Sequence, residues 1–166
     1  MNHIVISCIG ADQTGIVDTL SNVIKEHQGN WQVSSLHHLS GFFAGVIEVA
    51  VSVDNTQALV TALNNIASLN CQIEIAHSVS EKVNANLTLE LTANDRAGIV
   101  QEISSIIHLQ GGNLIKLVSS QTSAAHTGQL IFNAKAHVAI KAKDVDTLVD
   151  ALENIDDDLM VDIARA

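Results

Sequence analysis

The chain has 166 residues and a formal charge of −10 at neutral pH, with 47% hydrophobic but only 2% aromatic residues. This composition indicates a globular protein whose cores are built from Val, Ile, Leu and Ala. Only two of the eight basic residues fall in the first 83 positions, whereas binding of nucleic-acid phosphates needs clustered Lys and Arg. We therefore expect no direct binding of DNA or RNA.

The first half of the chain predicts the element order βαββαβ. Alternating or β-branched residues predict its four strands, at 3–9, 31–39, 46–53 and 71–75. The first helix is predicted after the loop 10–15 and ends at Gly29, a residue suited to the left-handed position after a helix. Asp54 and Asn55 offer an N-cap to the second helix. The Gly-containing segment 40–45 is the predicted hairpin turn. This α+β order is typical of a ferredoxin-like sandwich, in which both helices cover one face of an antiparallel four-stranded sheet.

The second half repeats the first. The pattern Asp-x-x-Gly-Ile-Val at residues 12–17 returns 83 positions later, at residues 95–100, and the Gly-Asn pair after the helix returns as well. Five apolar positions of the first helix recur at the same offsets: Ile16, Val17, Leu20, Val23 and Ile24 return as Ile99, Val100, Ile103, Ile106 and Ile107. The second set of strands is predicted near 86–92, 113–122, 129–140 and 159–164. The sequence therefore predicts two units, 1–81 and 86–166, joined by a linker at 82–85.

The offset between the two repeats grows from 83 to 89 before the last helix. The second hairpin, or the segment that leaves it, is therefore predicted to be about six residues longer than the first. Three consecutive acids, Asp156, Asp157 and Asp158, follow the last helix. We interpret them as a solvated turn.

Motifs of catalysis and of cofactor binding are missing from the sequence. It contains no Gly-x-Ser-x-Gly, no Gly-x-x-x-x-Gly-Lys and no Gly-x-Gly-x-x-Gly, and neither His-x-x-x-His nor Cys-x-x-Cys spacing. His37 and His38 are consecutive in a predicted strand, so they point to opposite faces and cannot share an ion. We expect no enzyme activity, no cofactor and no metal site.

Two cysteines and the hydropathy pattern bear on the compartment. Cys8 ends the first predicted strand and Cys71 begins the fourth, and these strands are antiparallel neighbours in the predicted sheet. The two thiols can therefore be inert core groups or a redox pair, and we favour the interpretation as inert core thiols. No secretory leader and no run of 18 apolar residues is recognisable. We expect a cytoplasmic protein that does not bind a membrane.

The repeated loops admit two interpretations. Asp12 and Asp95 each precede a predicted helix and could cap it, while Gly15 and Gly98 would form tight turns. A loop that ends at a helix N-terminus also presents free backbone N–H groups and the positive end of the helix dipole, which suit a carboxylate. The two interpretations are compatible.

At these loops the sequence resembles the ACT domain family, whose signature is Asp-Arg-x-Gly-[Ile/Leu]-[Val/Leu] between the first strand and the first helix. Residues 95–100 match this signature, and residues 12–17 match it except that Gln13 stands at the Arg position. The resemblance spans both units. Free-standing tandem pairs of this length are similar to the glycine cleavage system transcriptional repressor family. The segment 113–120 of this chain is also similar to the second-domain strand of that family. In that family the protein acts on a transcription activator rather than on DNA.

The resemblance implies a regulatory protein that binds glycine or a similar small amino acid, with Arg96 favouring the second loop because a guanidinium pairs with a carboxylate. The implied ligand-binding residues are Asp12, Gln13, Thr14, Gly15, Ile16, Asn30, Asn94, Asp95, Arg96, Ala97, Gly98, Ile99 and Asn113. The implied partner is a transcription activator protein. The alternative is a sensor that regulates a metabolic enzyme in trans. Because exposed strand edges must be covered, we also expect a homodimer or a larger oligomer.

Overall fold

A computed structural model describes residues 1–76 and 83–164 of the chain. The chain divides into two compact units, Met1–Glu81 and Lys82–Ala166. Unit 1 contains β1 (Asn2–Ala11), α1 (Ile16–Glu26), β2 (Asn30–Leu39), β3 (Phe42–Val51), α2 (Val53–Asn64) and β4 (Asn70–Ala76). Unit 2 contains β5 (Leu87–Asn94), α3 (Ile99–Leu109), β6 (Asn113–Ser123), β7 (Leu130–Ala139), a 3-10 turn (Ala142–Asp144), α4 (Val145–Glu153) and β8 (Met160–Ile163). The predicted linker at 82–85 lies partly outside the described residues.

Each unit is an antiparallel four-stranded sheet with two helices on one face. The strand orders are β2-β3-β1-β4 and β6-β7-β5-β8. Along β1, the buried side chains of Ile4 and Ile6 alternate with more exposed ones, so one face of the sheet meets the core and the other meets solvent. Leu20 of α1 and Leu59 of α2 complete the core of unit 1 and are fully buried. The predicted ferredoxin-like βαββαβ fold is confirmed in both units.

The first hairpin is tighter than the sequence predicts. β3 begins at Phe42, and the turn consists of Ser40 and Gly41, whose φ angles of 52° and 84° are both positive, as a two-residue type I′ hairpin requires. Gly45, predicted to lie in the turn, lies inside β3, where a Cβ atom would come within 2.4 Å of Leu36 Cδ2. The predicted turn at 40–45 and the predicted strand at 46–53 are therefore wrong in their bounds.

The second hairpin accounts for the change of offset between the repeats. β6 and β7 are joined by residues 124–129, whereas β2 and β3 are joined by two residues. Of the two predicted positions for the extra residues, the hairpin is correct. The four strands of unit 2 agree with their predicted bounds to within two residues at each end.

The N-cap of α2 also differs from the prediction. Ser52 is the cap, because its Oγ accepts a hydrogen bond from the backbone N–H of Asn55 at 3.2 Å. The helix therefore begins at Val53, before the predicted cap residues Asp54 and Asn55. Within residues 1–76 and 83–164, no helix combines the length and the hydropathy that a membrane crossing requires.

The C-terminus of α1 corrects the role predicted for Gly29. The left-handed residue is Gln28, with a φ of 56°, and the N–H of Gly29 donates to the carbonyl of Ile24 at 2.8 Å, as in a Schellman motif. Gly29 is required by packing instead. A Cβ atom at this position would come within 2.9 Å of Ile24 Cγ2 and 3.0 Å of Val49 Cγ1.

We expect Gln28→Gly to stabilise unit 1. In unit 2 the equivalent left-handed residue is Gly111, with a φ of 76°. A side chain in this conformation costs about 1 kcal/mol or slightly more, so Gln28→Gly should raise the free energy of unfolding by about 1 kcal/mol. Gly111→Gln should lower it by a similar amount. Urea midpoints at an unchanged m-value measure both changes, and a destabilised Gln28→Gly variant would contradict the argument.

Candidate ligand-binding site

The two candidate loops have the same backbone geometry. We call residues 12–15 the first loop and residues 95–98 the second loop. Gly15 and Gly98 are the N-caps of α1 and α3, with φ angles of 89° and 90°. No atom lies within 4 Å of a Cβ built on Gly15, so glycine is required there by the positive φ and not by close packing. The interpretation of both glycines as tight-turn residues is confirmed.

The two loop aspartates anchor the loops and do not cap the helices. In the described part of the chain, neither α1 nor α3 has a side-chain hydrogen bond at its N-cap, so the predicted cap is wrong. Asp12 Oδ2 lies 3.8 Å from His38 Nε2, and Asp95 Oδ2 accepts a hydrogen bond from Gln121 Nε2. His38 and Gln121 are equivalent positions, 83 residues apart, on β2 and β6. The backbone N–H of Asp12 also donates to the Gly41 carbonyl at 3.0 Å, and that of Asp95 donates to the Leu130 carbonyl at 2.9 Å, so each loop is tied to the hairpin of its own unit.

The helix N-termini remain able to accept an anion. The first-turn N–H groups of a helix have no partner within the helix, and the dipole places partial positive charge there. The side chains of Ile16 and Ile99 are buried in the cores, with exposed fractions of 4% and 5%, so only their backbone groups can contact a ligand. The N–H of Ile99 already points to the carbonyl of Arg96, at 3.4 Å.

Arg96, the cation predicted to receive a ligand carboxylate, is held by two carboxylates of its own unit. Its Nη1 and Nη2 donate to Glu102 Oε1 and Oε2 at 2.8 and 2.7 Å. Its Nε lies 3.3 Å from Asp156 Oδ2. A two-pronged guanidinium–carboxylate pair is among the stronger ion pairs in proteins. A ligand carboxylate that uses Arg96 must therefore displace Glu102 or Asp156.

The acidic turn between α4 and β8 contributes two carboxylates to the surroundings of the second loop. The sequence alone did not predict this contact. Besides Asp156, Asp158 lies at this loop, where its Oδ2 accepts a hydrogen bond from the N–H of Asn94 at 2.7 Å. The interpretation of these acids as a solvated turn is therefore incomplete. The strand pairing of β4 and β8 gives an offset of 90 here, since Asn70 and Met160 face the equivalent residues Ile9 and Thr92, so the residue of unit 1 equivalent to Asp158 is Ser68. This difference between the repeats is the sequence signal that could have revealed the contact.

Asn30 and Asn113 lie far from the loop of their own unit. Asn30 pairs with Ala50 of β3, which pairs with His3 near the start of β1, whereas the first loop follows Ala11 at the other end. At about 3.3 Å per residue, roughly 26 Å separates them along the sheet. Asn113 occupies the same place at the start of β6. The structure therefore brings together the predicted loop residues of each unit but does not bring these asparagines to them.

Comparison with known proteins supports the fold. No protein-family model matches the sequence, and no curated protein matches it. A crystal structure of an unknown protein from Galdieria sulphuraria has 22% sequence identity and a TM-score of 0.82, and the match covers 100% of this chain and 99% of that chain. A second crystal structure, of a candidate glycine cleavage system transcriptional repressor, has 16% identity and a TM-score of 0.76, over 99% and 98% of the two chains. The chain has the fold of these two proteins, with two ferredoxin-like βαββαβ units in tandem.

The ion pair of Arg96 in unit 2 gives a pH-dependent prediction. Hydrogen bonds from Arg96 are the main cause that lowers the pKa of the Glu102 carboxyl below its ordinary value near 4.5. A lowered folded-state pKa means that the ionised pair stabilises the unit above pH 4.5, and this contribution is lost as the pH falls through the lowered value. Arg96→Met should therefore bring the pKa of Glu102 back up, as measured by carbon-13 NMR of the carboxyl.

The first loop supplies the control for this experiment. Gln13 is equivalent to Arg96, so Gln13→Met places the same new side chain at the equivalent position of unit 1. It should leave the titration of Glu102 unchanged. A Glu102 pKa that stays low in Arg96→Met would show that another group holds the carboxylate ionised.

The cysteines lie opposite each other, as their neighbouring strands predict. Cys8 and Cys71 are direct partners in the pairing of β1 with β4, and both are free thiols. Burial raises the pKa of both thiols, and the nearby Cys71 adds to the rise at Cys8. Because the thiolate is the reactive form, these shifts favour inert core thiols over a redox pair.

With the described residues around them, the two consecutive histidines of unit 1 do not form a metal site. His37 Nε2 lies 3.0 Å from Ser35 Oγ, whereas His38 lies toward Asp12, so the two consecutive histidines have different neighbours. Over residues 1–76 and 83–164, no group of three or more His, Cys, Asp or Glu residues is placed to hold a metal ion.

Proposed function

We propose that the chain is a regulatory protein that responds to a small amino acid and acts through a protein partner. The observation that carries this proposal is the duplicated loop, in which a glycine of positive φ leads into a helix whose N-terminus has no side-chain cap. Two such sites in one chain suit the carboxylate of a small ligand. The likeness over the full length to a candidate glycine cleavage repressor agrees with a regulatory role.

The ligand contacts that we propose are made by the loops. The carboxylate would accept hydrogen bonds from the backbone N–H groups at Thr14 to Ile16, or from those at Ala97 to Ile99. All four residues of the first loop are exposed, so a ligand can reach the loop. In the second loop the carboxylate would compete with Glu102 for Arg96. We therefore propose that the first loop binds the amino acid more readily, although the signature arginine is in the second.

The proposal is regulation and not catalysis. The side-chain contacts at the loops are anchoring hydrogen bonds and ion pairs, and none joins a nucleophile to a general base, the arrangement that nucleophilic catalysis uses. Turnover of a substrate by the purified chain, abolished by a single polar-to-Ala change at a loop, would overturn this part.

The partner that we propose is a transcription activator, with glycine altering the contact. A chain of formal charge −10 repels phosphates, so the effect on transcription would pass through a protein. A ligand can switch such a contact only if it binds one arrangement of the protein better than another. The alternative, a sensor that controls a metabolic enzyme in trans, uses the same ligand site with another partner.

Calorimetry against the twenty amino acids tests ligand binding. We expect glycine or a similarly small amino acid to bind. We also expect Gly15→Ala to weaken binding at the first loop at least tenfold, because a shift of the loop amides forfeits about 1.4 kcal/mol or more of hydrogen bonding. Gly111→Ala is the matched control: its φ is also positive, no atom lies within 4 Å of a Cβ built there, and it lies in unit 2, after the C-terminus of α3 and not before a helix N-terminus. No response to any amino acid would overturn the ligand proposal.

A pull-down from cell lysate, with and without glycine, distinguishes the two kinds of partner. Recovery of a DNA-binding activator in a glycine-dependent manner supports the first proposal. Recovery of a metabolic enzyme supports the alternative. A shift of bare promoter DNA by the chain alone would refute the mechanism in both forms.

A further inference from the structure

The helix-free face of the sheet in unit 2 carries a depression of about 280 Å³. Pockets for drug-sized ligands start at about 300 Å³, so a depression of this size suits a smaller molecule. Side chains from three strands surround it: Glu90 and Thr92 of β5, Val118 and Ser120 of β6, and Asn133 and Lys135 of β7. In β5 these residues alternate with the buried Leu89 and Leu91, which places the depression on the face opposite the helices and the core.

The polar groups of the depression are ordered by contacts with one another. Lys135 Nζ lies 2.9 Å from Glu90 Oε1, and both side chains are about half exposed. Asn133 Nδ2 donates to Thr122 Oγ1 at 3.0 Å, and Asn133 Oδ1 accepts from Thr92 Oγ1 at 3.4 Å. A cation, an anion and an oriented amide therefore lie side by side on the open sheet.

The first unit shows that the fold does not need these charges. Ser7 and Val46 of unit 1 are equivalent to Glu90 and Lys135. Ile9 and Ala44 are equivalent to Thr92 and Asn133: Ile9 and Val46 are about half exposed, and Ala44 is partly buried. At these four positions the same backbone thus carries a serine and three apolar residues in one repeat, and a charged, hydrogen-bonded depression in the other. An exposed ion pair contributes little to stability, so stability does not account for the difference.

We propose that this depression binds a small zwitterion, namely a free amino acid. The ammonium group would pair with Glu90, the carboxylate would pair with Lys135, and the Asn133 amide would orient the ligand. The opposite charges of an amino acid match the neighbouring charges of the pair, whereas a ligand with one charge satisfies only one of them. This site lies on the sheet face and uses none of the loop residues, so it goes beyond the function proposed above.

NMR titration of the full chain with glycine and with L-alanine tests the site. We expect amide shifts at residues 90–92 and 133–135 that saturate, and no saturation with sodium acetate or with methylammonium chloride, each of which supplies only one charge. Lys135→Met and Glu90→Gln should each weaken binding at this face at least tenfold, since each removes one charged hydrogen bond. Both residues are half exposed, so the variants should fold.

The control and the loop variant separate this site from the loops. Val46→Met, at the position equivalent to Lys135 in unit 1, should leave the shifts unchanged. Gly15→Ala should weaken the binding that is seen as shifts at the first loop, without affecting the shifts at the sheet face. Shifts confined to the loops, equal binding by Lys135→Met, or equal responses to acetate and to glycine would overturn the proposal. The results at the sheet face, with the Lys135→Met and Val46→Met variants and with acetate, are independent of whether the loops bind.

Discussion

Leu20→Ala should lower the free energy of unfolding of unit 1 by about 2–5 kcal/mol, because it removes a fully buried side chain and leaves a cavity among well-packed neighbours. Leu20 lies on α1 and packs in the core cluster with Ile6 and Leu59. A loss of this size is a large part of the stability of a small domain. Val17→Ala, at a half-exposed position of the same helix, is the control and should cost much less.

The effect should be confined to one unit. Leu20 and its equivalent Ile103 belong to separate core clusters that share no residue among those described. Native-state hydrogen exchange should therefore show lower protection in β1, β3 and α1 after Leu20→Ala, with protection in unit 2 unchanged. Ile103→Ala should give the reverse pattern. Equal loss of protection in both units after either change would contradict this prediction.

The repeat made the fold predictable from one sequence. Each apolar position that recurs at an offset of 83 is tested twice, so a chance match to a helical or strand pattern becomes improbable. Ile16, Leu20 and Ile24 are buried on α1, as Ile99, Ile103 and Ile107 are on α3.

Predictions from local sequence patterns failed where a single residue decided the boundary of an element. Ser52 capped α2 in place of its neighbours, and the two-residue hairpin depended on Ser40 adopting a positive φ.

Irregularities in strand register explain why the sequence does not fully predict which residues of β2 face the core. The pairing of β2 with β3 shifts between Trp31 and Val33, and that of β6 with β7 shifts between Leu114 and Lys116. A bulge changes which face the following side chains occupy, so apolar residues of β2 are only partly in phase. The sequence pattern shows the broken phase but does not show which residue is extra.

The candidate site was predictable only in part, because its contacts are long-range. The loops and their glycines follow from the repeated pattern. The contact of Asp158 with Asn94 joins residues 64 positions apart, and no local pattern predicts it. Asn30 and the first loop both flank α1, but the helix carries the chain from one end of the sheet to the other, so the two do not meet. Topology, and not sequence proximity, decides which residues share a site.

Gly29→Ala should destabilise unit 1 by about 1–3 kcal/mol, the range for overpacking a well-packed core. The added Cβ would come within 3.1 Å of the Ile24 carbonyl oxygen as well as within 3.0 Å of Val49 Cγ1, so both the helix and β3 would have to shift. In unit 2 a Cβ at Gly112 would come within 3.0 Å of Ile107 Cγ2. Gly112→Ala should therefore cost a similar amount.

The cause of this loss can be separated from backbone strain. Gly41→Ala and Gly29→Ala both add one methyl group to unit 1, but only Gly41 has a positive φ, of 84°, and no atom lies within 4 Å of a Cβ built there. If steric overlap dominates at Gly29, then Gly29→Ala combined with Val49→Ala, which opens space beside the new methyl group, should cost less than the sum of the two single changes. Urea unfolding of the unchanged chain, of Gly29→Ala, of Val49→Ala and of the double variant measures this coupling. Strict additivity would show that the methyl group at residue 29 does not press on β3, and that the close approach of α1 to the sheet is not what requires glycine there.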